Sequence, residues 1–181
     1  MKILIVNGSP AAGSLDGRLH ELKALLGEEG HTLSELDLRD LKYSPCRGCF
    51  SCWVRHPGTC IFRDDGDVLC REVINSEMVI LASPLILGYP SALVKNALDR
   101  IIPLMHPYLE GVDNEAHHMK RYDSYPALGL ILKKESDTDG EDLEIVEDIF
   151  RRAAINLRST MKFFLTTETP LQEVIHAINR S

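Results

Sequence analysis

The sequence predicts a doubly wound α/β domain built on one five-stranded parallel sheet. Three observations carry that expectation. Five short apolar runs are separated by helical patterns, an alternation that yields parallel strands joined by right-handed crossovers. The runs Ile3–Val6 and Met78–Ala82 are apolar throughout, as strands covered on both faces are. Each of these two runs is followed by a loop rich in small residues and proline, Asn7–Ser14 and Ser83–Ser91.

Taken in order, Ile3-Leu4-Ile5-Val6 is too short for a helix and reads as the first strand. It breaks at Asn7-Gly8-Ser9-Pro10. Leu15, Leu19, Leu22, Leu25 and Leu26 then recur at helical spacing, and this helix should end near Gly30. Leu33, Leu36 and Leu38 alternate through residues 31–38, a second strand nearer the sheet edge. Residues 40–64 have no clean period and read as a long loop. Asp64, Asp65 and Asp67 offer cap and first-turn carboxylates for a helix to about Asn75. The third strand stops at Ser83-Pro84, and Ser91 starts a helix carrying Leu93, Val94, Ala97, Leu98 and Ile101, ended by Pro103 and Pro107. Residues 104–125 have no legible pattern. Ala127–Leu132 is the fourth strand, and the acidic run Glu135–Asp142 leads into an amphipathic helix with Leu143, Val146, Ile149, Phe150, Ala153 and Leu157 on one face. Met161–Thr166 is the fifth strand, and Pro170 opens a last helix, Leu171–Asn179.

A chain of 181 residues with no repeat or low-complexity stretch is most simply one domain, residues 1–181. The formal net charge of −7 argues against a general nucleic-acid binder, which needs a basic face. No apolar run approaches the roughly 20 residues of a membrane span. The first residues lack the order of a signal peptide, so a cytoplasmic location is expected. Four of the five cysteines crowd into Cys46–Cys60. In a reducing compartment such crowding points to metal, cluster or redox chemistry rather than structural disulfides.

In doubly wound sheets, ligands bind beyond the carboxyl ends of the strands where the strand order reverses. With the first and third strands adjacent, that place is framed by Gly8–Ser14 and Ser83–Ser91. The first of these is a strand, a loop of small residues and a helix N-terminus. Free backbone N–H groups and roughly half a positive charge from the helix dipole suit it to a phosphate. An ordinary βα turn uses the same residue types, so the loop by itself leaves both readings open.

Asn7-Gly8-Ser9-Pro10 after the first strand, the run CRGCFSCWVRHPGTC before Asp64-Asp65, and SPLILGYPSALVKNALDR resemble the NAD(P)H-dependent FMN reductase and iron–sulfur flavoprotein family. The three motifs span most of Met1–Arg100 in the family's order. The resemblance implies a flavodoxin-like fold, bound FMN, hydride from NAD(P)H, and a homo-oligomer in which a neighbouring subunit helps wall the flavin. Carried over, it places the FMN phosphate on Ser9 and Ser14 with the backbone of Gly8, Pro10 and Gly13. It places the isoalloxazine edge along Pro84, Leu85, Leu87 and Gly88. Lys95 and Asp99-Arg100 match the following helix and also read as an ion-paired, solvated face. The chain departs from the family at Ala11, Leu15 and Asp16, at Ile86 where an aromatic is expected, and at Lys133-Lys134-Glu135, where a Gly-rich loop is common. A carboxylate at Asp16 is unfavourable beside a phosphate unless it points away.

Cys46, Cys49, Cys52 and Cys60 fall in the pattern C-x2-C-x2-C-x7-C. Three thiolates within seven residues can converge on one 4Fe–4S cluster, with Cys60 as fourth ligand. Zinc is more usually held by two separated knuckles. The resemblance also covers reductases without a cluster, so cluster, free redox-active thiols and zinc all stay open. Cys70, on the following helix, reads as a buried apolar residue. Trp53 either packs over a flavin or covers the cysteine loop. His106, His117 and His118 read as satisfied or exposed polar residues.

The predicted activity is electron transfer from NAD(P)H through FMN to a small-molecule or protein acceptor, with no side chain serving as acid or base. Two rivals accompany it: an iron–sulfur flavoprotein passing single electrons through the cysteine run, and a scaffold that has lost its flavin, motivated by Asp16, Ile86 and Lys133.

Overall fold

The computed structural model describes residues 1–180; Ser181, the last residue of the predicted domain, lies outside the described residues. Five parallel strands form the central sheet: β1 (Lys2–Asn7), β2 (Thr32–Asp37), β3 (Met78–Ile86), β7 (Ala127–Lys133) and β8 (Met161–Thr166), in the order β2-β1-β3-β7-β8. A two-residue strand, β4 (Tyr89–Pro90), folds back on β3, and a separate hairpin pairs β5 (Met105–Val112) with β6 (Glu115–Lys120). The helices are α1 (Ser14–Glu28), the four-residue α2 (Ser51–Val54), α3 (Gly66–Ile74), α4 (Ala92–Arg100), α5 (Gly140–Asn156) and α6 (Leu171–Asn179).

Side chains of a strand point alternately to the two faces of the sheet, so β1 feeds two cores. Ile3 and Ile5 pack with Leu15, Leu19, Leu22 and Leu26 of α1 and with Val174 and Ile178 of α6. Leu4 and Val6 pack on the other face with Leu69 and Val73 of α3, Val94 and Ala97 of α4, and Phe150 of α5. All four strand residues are fully buried, which is why their run is apolar without alternation. The edge strand β2 is only half-buried, matching its polar alternate positions.

The third strand runs past its expected stop at Ser83-Pro84. Pro84 pairs with Lys133 of β7, whereas the pairing of β1 with β3 ends at Asn7 and Ala82. Beyond that point β3 has lost its β1 neighbour, and a proline on a strand with one open side breaks no ladder. Residues 104–125, without a pattern in sequence, contain the β5–β6 hairpin. Asp113 and Asn114 both take left-handed φ, as a two-residue hairpin turn requires. A register shift between Met105 and Leu109 and exposed apolar residues, Tyr108 and Leu109, hide its alternation. His117 lies buried here, hydrogen-bonded to Asn156 of α5 and to Glu115, the satisfied polar role expected of it.

Two caps also differ in detail. Asp65 was expected among the caps of α3, but its carboxylate accepts the Lys42 N–H at 2.6 Å; Asp64 takes the Gly66 N–H. Pro170 stands one residue before α6 rather than at its first position.

Candidate functional site

Two sites lie at the two ends of α4. The first is an open cavity of about 220 Å³ at the carboxyl ends of β1, β3 and β7. Residues 9–15 form one wall, Pro84 and Ile86 another, and Lys133 and Glu135 a third. It therefore gathers Ser9, Pro10, Gly13, Ser14 and Pro84 of the expected flavin residues. Among the described residues, the N–H groups of Ser14 and Leu15, at the start of α1, have no acceptor, as is usual for a first helical turn open to an anion.

The loop is held from behind. Asn7, 1 % exposed, accepts the Ser9 N–H on its Oδ1 and donates through Nδ2 to Asp16 at 2.9 Å and Asp37 at 2.7 Å. Asp16 turns back onto the Gly13 N–H at 2.7 Å and pairs with Arg39 at 2.6 Å. Burial pushes the Asp16 carboxyl up, but its bonds to Arg39, Gly13 and Asn7 outweigh that and keep it below the usual carboxylate value. Asp16 shares Arg39 with Asp37, which lies 3.3 Å from the same nitrogen, and Asp16 does not line the cavity. Ser9 Oγ donates to the Ala11 carbonyl at 2.7 Å and tightens the turn.

Gly8 does not line the cavity either. Its N–H donates to Ala82 O at 2.7 Å, the Ser91 hydroxyl donates to its carbonyl at 2.6 Å, and a Cβ there would overlap Val94. Gly8 is thus the close approach that seats α4 on the sheet. Leu85 is fully buried in the core, so only its backbone is available. Leu87 and Gly88 form the tip of the β3–β4 hairpin with φ of +52° and +72°, and Leu87 is 87 % exposed. The cavity thus takes Ile86, not Leu85, Leu87 or Gly88, as its side-chain wall.

The second site lies around the cysteines. Cys46, Cys49, Cys52 and Cys60 all line one cavity with Trp53 and Arg100. All four are free thiols, and burial, with the three neighbouring sulfurs, raises the Cys52 thiol above its usual value. Among the described residues, no three His, Cys, Asp or Glu side chains close to metal-ligating spacing. Trp53 covers this loop: its Nε1 donates to the Met105 carbonyl at 3.0 Å, and its ring lies against Phe50 and His118. Residues 41–63 carry four Lys and Arg and no Asp or Glu, in a chain of net charge −7. Cys70 stands outside the cavity, bonded to Arg100 O, its thiol pushed up to about 12 by burial.

Arg100 was expected on a solvated face and is instead 2 % exposed. Lys95 and Asp99 do form the expected exposed i,i+4 pair at 2.6 Å. Arg100 follows Ala97 by three and so shares its buried stripe, a spacing that could have exposed the difference. It meets Asp64 through two nitrogens, at 2.6 and 3.0 Å. Lys133 and Glu135, which depart from the family's pattern, pair at 3.0 Å in the wall of the first cavity. Their place at the carboxyl end of a central strand was the available signal. Nothing in the sequence pointed to Arg39.

No helix among the described residues is long and apolar enough to cross a membrane. The chain is 36% identical over 117 residues to an iron–sulfur flavoprotein of Archaeoglobus fulgidus, covering 61% of this chain and 50% of that protein. It is 32% identical over 105 residues to the iron–sulfur flavoprotein MJ1083 of Methanocaldococcus jannaschii, covering 58% and 53%. The chain thus spans about half the length of the curated relatives it matches. Among solved structures it is similar to an NAD(P)H:quinone oxidoreductase of Methanothermobacter marburgensis (TM-score 0.64, 16% identity, 98% of this chain and 95% of that one). It is equally similar to an FMN-dependent NADH-azoreductase of Bacillus anthracis in complex with FMN (TM-score 0.64, 12% identity, 97% and 92%). At these identities the likeness is one of fold, and it is the flavodoxin-like fold. The profile described as NADPH-dependent FMN reductase matches residues 1–120, which include the cysteine loop and every wall of the first cavity except Lys133 and Glu135, and the chain belongs to that family.

Proposed function

We propose that this protein is an oxidoreductase that binds FMN in the cavity at the ends of β1, β3 and β7 and moves electrons from NAD(P)H to a small-molecule or protein acceptor. The observation that carries the reading is the direction of Asp16. Its carboxylate is held by Arg39 and does not line the cavity, whereas Ser14 and Leu15 do line it and their N–H groups have no acceptor among the described residues. The residues present therefore fit a phosphate dianion. Ser9 and Ser14 would add hydroxyls, and Gly13 and Pro10 shape the turn. The backbone of Pro84, Leu85, Leu87 and Gly88 would run beside the ring edge, with Ile86 against its face. Lys133 enters the same cavity wall paired with Glu135. FMN, when bound, supplies the hydride and electron chemistry; the protein orients the ring and shields it from water. The exposed Ile86 and Leu87 favour a homo-oligomer in which another copy covers this hairpin.

Anaerobic titration of flavin-free protein with FMN and with riboflavin tests the reading. Tight uptake of FMN and oxidation of NAD(P)H are expected. A protein that takes up neither ligand is the scaffold instead. Light scattering should report a dimer or larger species.

A second reading is favoured by the four cysteines that surround one cavity. Their thiols fit an iron–sulfur cluster in donor type and number, and two relatives carry that name. Cys46, Cys49, Cys52 and Cys60 would hold it, and it would supply one-electron transfer. Helix α4, nine residues and therefore about 13 Å long, would link the two centres. Iron and sulfide analysis of anaerobically reconstituted protein checks this. One zinc per chain, or no metal, overturns it.

A further inference from the structure

We propose that Arg100 is the positioning residue of the cysteine cavity: it clasps both ends of the cysteine loop and presents a buried positive charge to the anionic sulfur group held there. The inference rests on the cluster reading and adds to it a residue outside the cysteine run.

A buried guanidinium is costly unless its donors are used and its charge is met. Arg100 donates from one nitrogen to the Ser44 carbonyl at 2.5 Å and to Asp64 Oδ2 at 3.0 Å, and from the other to Asp64 Oδ1 at 2.6 Å. Asp64 Oδ2 also accepts the Ser44 N–H at 3.0 Å. Ser44 begins the cysteine loop and Asp64 ends it, so one guanidinium closes the loop like a clasp. The Tyr43 ring covers the guanidinium at 5.6 Å. A Cβ on Gly66 would overlap it, so glycine keeps the space open.

One donor is left over. The Arg100 Nε is buried and has no hydrogen-bond partner among the described residues, and Arg100 lines the cysteine cavity. An idle N–H in so enclosed a place calls for an acceptor that is not part of the chain. Four thiolates around iron and sulfide carry net negative charge and accept such bonds, and hydrogen bonds and charge at the sulfurs set a cluster's potential. The excess of cations over residues 41–63 acts in the same sense. A lysine here would keep the charge but lose the planar fork that joins Ser44 to Asp64.

The test uses the full chain as wild type, Arg100→Lys and Arg100→Gln, each reconstituted anaerobically. Iron and sulfide per chain, the rate of iron loss to a chelator, the midpoint potential of the centre and FMN affinity are measured. Wild type should hold about four irons per chain. Arg100→Gln should lose iron at least about tenfold faster. Its remaining centre should be harder to reduce by about tenfold in the reduced-to-oxidised ratio, which is about 59 mV for one electron. Arg100→Lys should restore most of the potential but not the retention of iron, and FMN affinity should be unchanged in both. Wild type without iron overturns the cluster reading and this inference together. An iron-loaded wild type matched by Arg100→Gln in potential and iron loss overturns the inference alone. If Arg100→Gln does not fold, iron loss from Arg100→Lys decides: faster supports the clasp, unchanged overturns it.

Discussion

The loops at the two ends of α4 are built in opposite ways. At its start, the cradle of residues 8–14 is made of backbone, small side chains and a helix terminus. The charges that brace it, Asp16 and Arg39, are 26% and 23% exposed and pair with each other outside the cavity. At its end, the cysteine loop has only one short helix of its own and depends on side chains. Its closing pair is buried on the Arg100 side, at 2% exposure, with Asp64 at 18%. A partly exposed pair such as Asp16–Arg39 is worth at most about 1 kcal/mol. Losing one partner of a buried pair strands the other's charge and costs about 3–5 kcal/mol. The cradle should therefore tolerate the loss of a single charge, and the clasp should not.

The largest expected effect tests that contrast directly. Asp64→Ala should lower unfolding stability by about 3 kcal/mol, the lower end of the range because Asp64 keeps some solvent contact. Arg39→Ala should cost no more than about 1 kcal/mol. Denaturant melts of the two variants side by side check it, and equal losses would erase the distinction. The pair also has a pH signature. The Arg100 hydrogen bond, with N–H donors from Ser44 and Gly66, holds the Asp64 carboxyl below its ordinary value of 3.8 despite burial. A carboxyl with a folded pKa below its unfolded one stabilises fully above the unfolded value and loses that contribution as pH falls through the folded one. Wild-type stability should thus drop below about pH 4 more steeply than that of Asp64→Asn, measured by melts across that range.

Next in size is the cradle's own test. Ser9→Ala should weaken FMN more than riboflavin by about 1–3 kcal/mol, the range for a hydrogen bond to a charged group. The comparison of ligands matters because Ser9 also tightens the turn through Ala11, an effect felt by both. Equal weakening would make the loop a turn and nothing more.

The smallest effect concerns the hairpin tip beside the cradle. Leu87 sits at φ +52°, where a side chain costs about 1–2 kcal/mol, against the 0.5–1 kcal/mol of extra chain entropy that glycine gives up. Leu87→Gly should therefore stabilise the isolated chain by about 1 kcal/mol or less, seen in melts at low concentration. The same change should weaken self-association in light scattering if a second copy covers Leu87. Unchanged association would remove this hairpin from the interface.

Much of the molecule was legible in its amino-acid order. All five central strands and the five longer helices lie within a few residues of their expected places, because apolar period and small-residue punctuation are local properties. The loop of residues 8–14 was legible for the same reason: a strand, a turn of small residues and a helix terminus are neighbours in sequence, and residues 9–15 line one cavity. The cysteine spacing set four thiols close together in sequence, and they line one cavity, without saying what closes their loop. Tertiary structure alone decided the rest. Pro84 continues β3 because β1 has already turned away, and the hairpin of residues 105–120 hides its alternation because its register shifts and both Tyr108 and Leu109 stay exposed. Asp16 lies outside the cavity because Arg39, 23 residues on, meets it from beyond β2. Arg100 and Asp64 are separated by 36 positions, and each alone looks like one more surface charge. Their worth comes from burial and from each other, and both depend on long-range packing that no local pattern encodes.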